Sequence, residues 1–136
     1  MNKQTQVYRG FIVDSPGYGY TYAPVKVKNQ FKKLMAGYLS HGVRISMVMV
    51  LINANTGLKG SDKVFLDQLA FYNKPTQIVF SKVDKVIGGR TQLATNLERT
   101  SREIMKYKNV YPEIYLLSSK HMFGIEQLRA RILTHF

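Results

Sequence analysis

The chain has 136 residues, with 20 lysines and arginines against 8 aspartates and glutamates, so it is one domain's length and carries a formal charge of +12. That charge points to a polyanionic partner such as RNA, ahead of an anionic membrane or a role in solubility alone. With no cysteine, a disulfide framework and a thiolate metal site are both excluded, and His41, His121 and His135 lie too far apart in sequence for a ligand set. The longest apolar run, Ile45 to Ile52 broken by Ser46, is a strand's length and far short of a membrane span. Residues 1–6 hold no apolar signal core.

The first predicted element is a buried strand, Phe11-Ile12-Val13, which runs into Asp14-Ser15-Pro16-Gly17-Tyr18. Asp14 would stand at the strand's carboxyl end, where open parallel sheets place ligands, and Gly17 has no Cβ to keep its N–H from a phosphate. Any strand exit can carry Asp-x-x-Gly, so this motif alone is weak. A helix is expected from Val25 to Leu39, with Val27, Phe31, Leu34, Met35, Tyr38 and Leu39 inward and Lys26, Lys32 and Lys33 outward. Tyr18, Tyr20 and Tyr22 stand near Lys26 and Lys28, a mixture suited to base stacking and phosphate contact with RNA. Packing of this loop on its own domain is an equal alternative.

Ile45 to Ile52 barely alternates and reads as a strand buried on both faces. Ser61 or Asp62 is expected to cap a helix containing Phe65, Leu66, Leu69 and Phe71, which Asn73-Lys74-Pro75 stops. A strand from Thr76 to Phe80 then delivers Ser81-Lys82-Val83-Asp84. After Gly88-Gly89 a helix runs to about Lys108, with Leu93, Leu97, Ile104 and Tyr107 inward and Glu98, Arg99, Arg102 and Glu103 outward. A strand from Glu113 to Leu117 leads into Ser118-Ser119-Lys120, and Gly124 opens a closing helix. Four strands alternating with four helices predict an α/β parallel sheet.

Taken together and in this order, strand-Asp-x-x-Gly, strand-Ser-Lys-x-Asp and strand-Ser-Ser-Lys resemble the later half of a translation-factor-type GTPase. Asp14-Ser15-Pro16-Gly17-Tyr18-Gly19-Tyr20 is similar to the Asp-x-Pro-Gly-Tyr-Gly of the EngB/YihA family of ribosome-assembly GTPases. Val50 to Asp62 is close to that family's Leu-Ile-Asp-x-Arg-x-Gly-x-x-x-x-Asp. The resemblance covers nearly the whole chain. It implies that residues 1–136 are the C-terminal part of an EngB-type GTPase domain, a three-layer P-loop GTPase-type sheet without its central P-loop strand. The implied ligand is GTP or GDP, held by Asp14, Ser15, Pro16, Gly17, Ser81, Lys82, Asp84, Ser118, Ser119 and Lys120, with Asp14 holding Mg²⁺ through a water. Asp84 would accept from guanine N1–H and the exocyclic amine, a donor pair that adenine lacks, while Lys82 lays its stem along the base. Tyr18 follows the glycine where many GTPases carry a water-orienting glutamine, so hydrolysis is expected to be slow without help. Asn53 replaces the family's usual aspartate and puts one loop contact in question.

No Gly-x-x-x-x-Gly-Lys-[Ser/Thr] occurs, so nucleotide binding and hydrolysis are expected only if a P-loop-bearing segment is supplied in cis or in trans. That segment should fill a gap between the strand ending at Asp14 and the strand Ile45 to Ile52. If those two strands paired directly, right-handed crossovers would put the first three helices on one face and leave apolar sheet exposed on the other. The implied partners are large-subunit rRNA and ribosomal proteins, not a membrane, with Tyr18, Tyr20, Lys26, Lys28, Lys32 and Lys33 as RNA contacts. A nucleotide-free structural protein of a ribosomal particle is the alternative reading. The expected compartment is the mitochondrion, whose particles often hold abridged bacterial-type factors, with the bacterial cytoplasm as the other possibility.

Overall fold

A computed structural model describes residues 10–18, 24–41 and 44–135. In chain order it contains α1 (Val25–Ser40), β1 (Val48–Asn53), α2 (Gly60–Phe71), β2 (Thr76–Ser81), α3 (Gly89–Ile104), β3 (Val110–Leu116) and α4 (Ile125–Leu133). A 3₁₀ turn, Val83–Lys85, links β2 to α3. The strands form one parallel sheet in the order β1-β2-β3, with Val50 opposite Ile78 and Phe80 opposite Leu116. The α/β class is as expected, but the described residues form three strands, not four.

The missing strand is Phe11 to Val13. These residues adopt no regular structure and are 93%, 79% and 59% exposed. Their apolarity predicts burial, but a strand also needs a neighbour to bond. Among the described residues β1 pairs only with β2, and no further strand lies beyond it. β1 differs from expectation for the same reason. Val50 and Ile52 are buried, whereas Leu51 between them is 61% exposed, so the strand is covered on one face only. Its sequence, Val-Met-Val-Leu-Ile-Asn, holds no proline or charge to discourage pairing, whereas β3 carries exposed Pro112 and Glu113 at the opposite edge.

The covered face builds the core. Val50, Ile52, Ile78 and Phe80 meet Phe65, Leu66 and Leu69 of α2, Ile104 of α3, and Met35 and Leu39 of α1. Three helices thus supply one face. The other receives α4, whose Arg131 bonds Gln77 Oε1 at 3.3 Å and stacks over Tyr111 at 4.1 Å. In α1 the inward set is narrower than its periodicity suggests, because Val27 and Leu34 are exposed. The helix that starts after Gly88 ends at Ile104 rather than Lys108, where a turn lets Tyr107 O–H reach Asp67 at 2.8 Å. Asp62 lies one turn inside α2 instead of capping it, and its carboxylate accepts the Lys59 N–H at 2.6 Å, satisfying a donor at the helix start.

Glu103 joins α2 to the end of α3, with Lys63 and Lys106 both at 2.8 Å. Hydrogen bonds from Lys106 and then Lys63 lower its pKa from 4.5 to about 2. A depressed carboxylate contributes stability that is full above its unfolded pKa and lost as pH falls through the folded one. Glu103→Gln should therefore be less stable than wild type at pH 6, with the difference shrinking between pH 4.5 and 2, as urea denaturation across that range will show.

Candidate functional site

Three parallel strands bring the loops at their carboxyl ends to one edge of the sheet, where Ser81, Lys82 and Asp84 lie at the end of β2 and Ser118, Ser119 and Lys120 after β3. Asp84 sits in the turn after β2 and Ser118 just after β3. The Ser118 hydroxyl donates to Asp84 Oδ1 at 2.6 Å across 34 positions of sequence. Ser118 is buried, and its oxygen also accepts the His121 N–H at 3.2 Å. The Val83 N–H donates to Leu117 O at 3.1 Å, so the two loops are joined through backbone as well as side chain. The hydroxyl bond is the main cause of a lowered Asp84 pKa; burial opposes it, and the backbone N–H of Asp84 and the neighbouring His121 and Lys120 add lesser lowering effects. The carboxylate is therefore ionised at neutral pH and keeps lone pairs for outside donors.

Lys82 adopts the left-handed conformation, φ 57°, which costs a non-glycine residue of order 1 kcal/mol and often marks a functional turn. Ser81 Oγ is occupied with Ile52 O at 3.2 Å, holding the loop to β1. Ser119 and Lys120 are exposed, and the charge of Lys120 acts on Asp84. An antiparallel bridge from Ser118 to Phe123 closes that loop, and Gly124 makes the closure possible. A Cβ on Gly124 would lie 1.9 Å from Leu116 O, and its φ of +75° also favours glycine.

Asp14, Ser15, Pro16 and Gly17 are all exposed. Their segment is held at α2 through Tyr18, whose ring stacks on Phe65 with centroids 4.5 Å apart and planes at 16°. Burial, then the Asp62 charge and a hydrogen bond to it, push the Tyr18 hydroxyl well above the usual tyrosine range. One face of the Tyr18 ring is thereby committed to the domain. Tyr20 lies outside the described residues. Lys26, Lys32 and Lys33 are exposed on α1, Lys28 is half-buried, and the helix contains no acid.

Sequence reasoning missed the network behind the site. Asn96, inside α3 and 3% exposed, donates to Ala54 O at 2.9 Å and Asn55 O at 3.1 Å and accepts from Gln92 at 3.0 Å. Asn55 Oδ1 accepts the Ile87 N–H at 2.8 Å. An asparagine mid-helix is intrinsically unfavourable, and that was the available signal. Asn53 Oδ1 accepts the Asn55 N–H at 3.0 Å, a bond that an aspartate would also make, so that replacement leaves the turn intact.

No protein-family profile matches the chain. Its fold is shared with translation elongation factor SelB from Methanococcus maripaludis (TM-score 0.69, 21% identity, 90% of this chain and 24% of that one). It is shared also with a probable GTP-binding protein EngB (TM-score 0.65, 19% identity, 88% of this chain and 74% of that one). These likenesses define the class: a parallel α/β sheet of the P-loop GTPase type. In sequence the chain is 40% identical over 124 residues to the probable GTP-binding protein EngB of Jannaschia sp., 36% over 135 to that of Ruegeria pomeroyi and 35% over 122 to that of Bartonella quintana. The matches cover 91%, 99% and 90% of this chain and 56%, 61% and 56% of those proteins. The chain is thus similar over nine-tenths or more of its length to EngB GTP-binding proteins, and it spans little more than half the length of these relatives.

The bond between the two loops is directly testable. Ser118→Ala should raise the pKa of Asp84 towards an ordinary aspartate, read from its carboxyl ¹³C shift during an NMR pH titration.

Proposed function

We propose that this chain is the base-recognising part of a guanine-nucleotide-binding domain acting in assembly of the large ribosomal subunit. The observation that carries this reading is the Ser118–Asp84 bond, which aims an ionised carboxylate from the Ser-Lys-x-Asp loop beside the exposed Ser119 and Lys120. Asp84 takes guanine N1–H and the 2-amino group, Lys82 covers the base plane and the Ser118-Ser119-Lys120 loop meets O6. A P-loop-bearing strand and helix complete the site by pairing with β1. Its proline-free outer edge, the exposed Leu51 and the exposed Phe11 to Val13 all support that addition. The phosphates and a Mg²⁺ ion held through water by Asp14 lie on the Asp14 to Gly17 side, and GTP hydrolysis depends on the same added segment.

Large-subunit rRNA is the proposed polyanion. The +12 charge supports it, as do the exposed Lys26, Lys32 and Lys33 on a helix without acids. Ribosomal particles of the mitochondrion are the proposed setting.

Titration of GDP and ADP into the full-length protein tests the base choice. GDP should bind in preference, and Asp84→Asn should weaken it by roughly 2–4 kcal/mol, as expected for two charge-assisted hydrogen bonds with partial compensation. If no guanine nucleotide binds, the nucleotide-free structural reading takes its place. RNA binding should weaken steeply with salt. Changing Lys26, Lys32 and Lys33 together to Ala should flatten the log–log slope by about 2–3, at roughly 0.7–0.9 per phosphate contact. A slope unchanged in the triple variant would move the RNA to another face.

A further inference from the structure

One polar unit at the carboxyl edge has no part in the reading above: Gln92, Asn96 and Asn55. Asn96 spends its whole amide, donating to the Ala54 and Asn55 carbonyls and accepting from Gln92. It thereby ties the loop after β1 to α3. Asn55 passes the restraint on, because its Oδ1 holds the Ile87 N–H, two positions beyond the Val83–Lys85 turn that carries Asp84. Ser118 bonds Asp84 itself. The exposed turn is thus held on one side by the β3 loop, through the Ser118 hydroxyl and the Val83 N–H on Leu117 O, and on the other by the amide pair from the β1 loop and α3.

We infer that Asn96, acting through Asn55, is a positioning residue that sets how strongly guanine is chosen over bases lacking the 2-amino group. The inference rests on the guanine reading proposed above. A carboxylate accepts two parallel donors only when its plane matches the base edge, and a tilt of the turn breaks one of the two bonds first. The bond to N1–H is common to guanine and hypoxanthine, whereas the bond to the exocyclic amine is guanine's alone. A turn released at Ile87 loses the alignment needed for both bonds together, so GDP suffers more than IDP. General damage to the fold would weaken both nucleotides alike.

The test is competition binding of GDP and IDP to the full-length protein, comparing wild type with Asn55→Ala, Asn55→Asp and Asn96→Ala. Wild type should prefer GDP by about tenfold or more, the value of one charge-assisted hydrogen bond. In Asn55→Ala and Asn96→Ala the preference should fall to within about threefold, chiefly through weaker GDP binding. Asn55→Asp keeps the acceptor for the Ile87 N–H and should retain the wild-type ratio. If Asn96→Ala does not fold, the Asn55 pair decides the matter, since that side chain makes only the outer link. An unchanged ratio in Asn55→Ala, or equal losses for both nucleotides, overturns this inference and leaves the guanine reading standing. A wild-type protein that binds neither nucleotide overturns both.

Discussion

Thr76 to Phe80 in β2 are five consecutive residues without solvent contact, and a stretch buried to that degree needs cover on both faces and strands at both edges. The parallel neighbours β1 and β3 provide the edges. Parallel pairing forces long crossovers, which are α2 and α3, and both return across the same face. The other face depends on α4, which brings a guanidinium to Gln77 and Tyr111. A polar residue on the inner strand is tolerated because Gln77 Nε2 also donates to Glu113 O at 2.6 Å. Parallel order also places three loops at one edge, so chemistry encoded far apart in sequence meets without any loop having to be long.

At that edge the fold relies on bonds between loops more than on packing. Ser81, Asn55, Asn96 and Ser118 each bond a neighbouring loop or strand end, and the apolar core ends beneath them at Ile52, Ala54 and Phe80. Tyr18 adds a different kind of link, a ring on Phe65 and a hydroxyl on Asp62, the residue that also satisfies the start of α2. A change in how residues 14–17 are held is therefore felt first at a helix terminus.

Most of the framework was legible because periodicity reports burial. The helix expected over Val25 to Leu39 spans Val25–Ser40, and the strand expected over Thr76 to Phe80 extends one residue further. The Asp84 and Ser118 loops were legible from their motifs, and strand order then placed them together. What periodicity does not report is the partner. Phe11 to Val13 reads as a strand, yet its state depends on a neighbour that the described residues do not supply. Leu51 reads as buried on the same reasoning and is exposed for the same lack. Asn96 is marked only as an asparagine inside a helix, and the partners of Asn55 and Asn96 were illegible for another reason: their bonds reach 32 and 42 positions along the chain, and no local pattern encodes such a pairing.

The two margins of the sheet also bear on how the protein behaves at high concentration. Pro112 interrupts hydrogen bonding along β3, and Glu113 adds a charge beside it, so a second chain finds little to continue there. β1 offers six residues of backbone with alternating Val, Met and Leu side chains, uncharged and without a breaker, the composition that seeds stacked strands between molecules. The high positive charge keeps copies apart in dilute, low-salt solution, but at 0.1 M salt screening removes that repulsion beyond about 10 Å. Wherever that margin is left unpaired, loss of solubility on concentration should therefore begin as a sheet growing outward from β1.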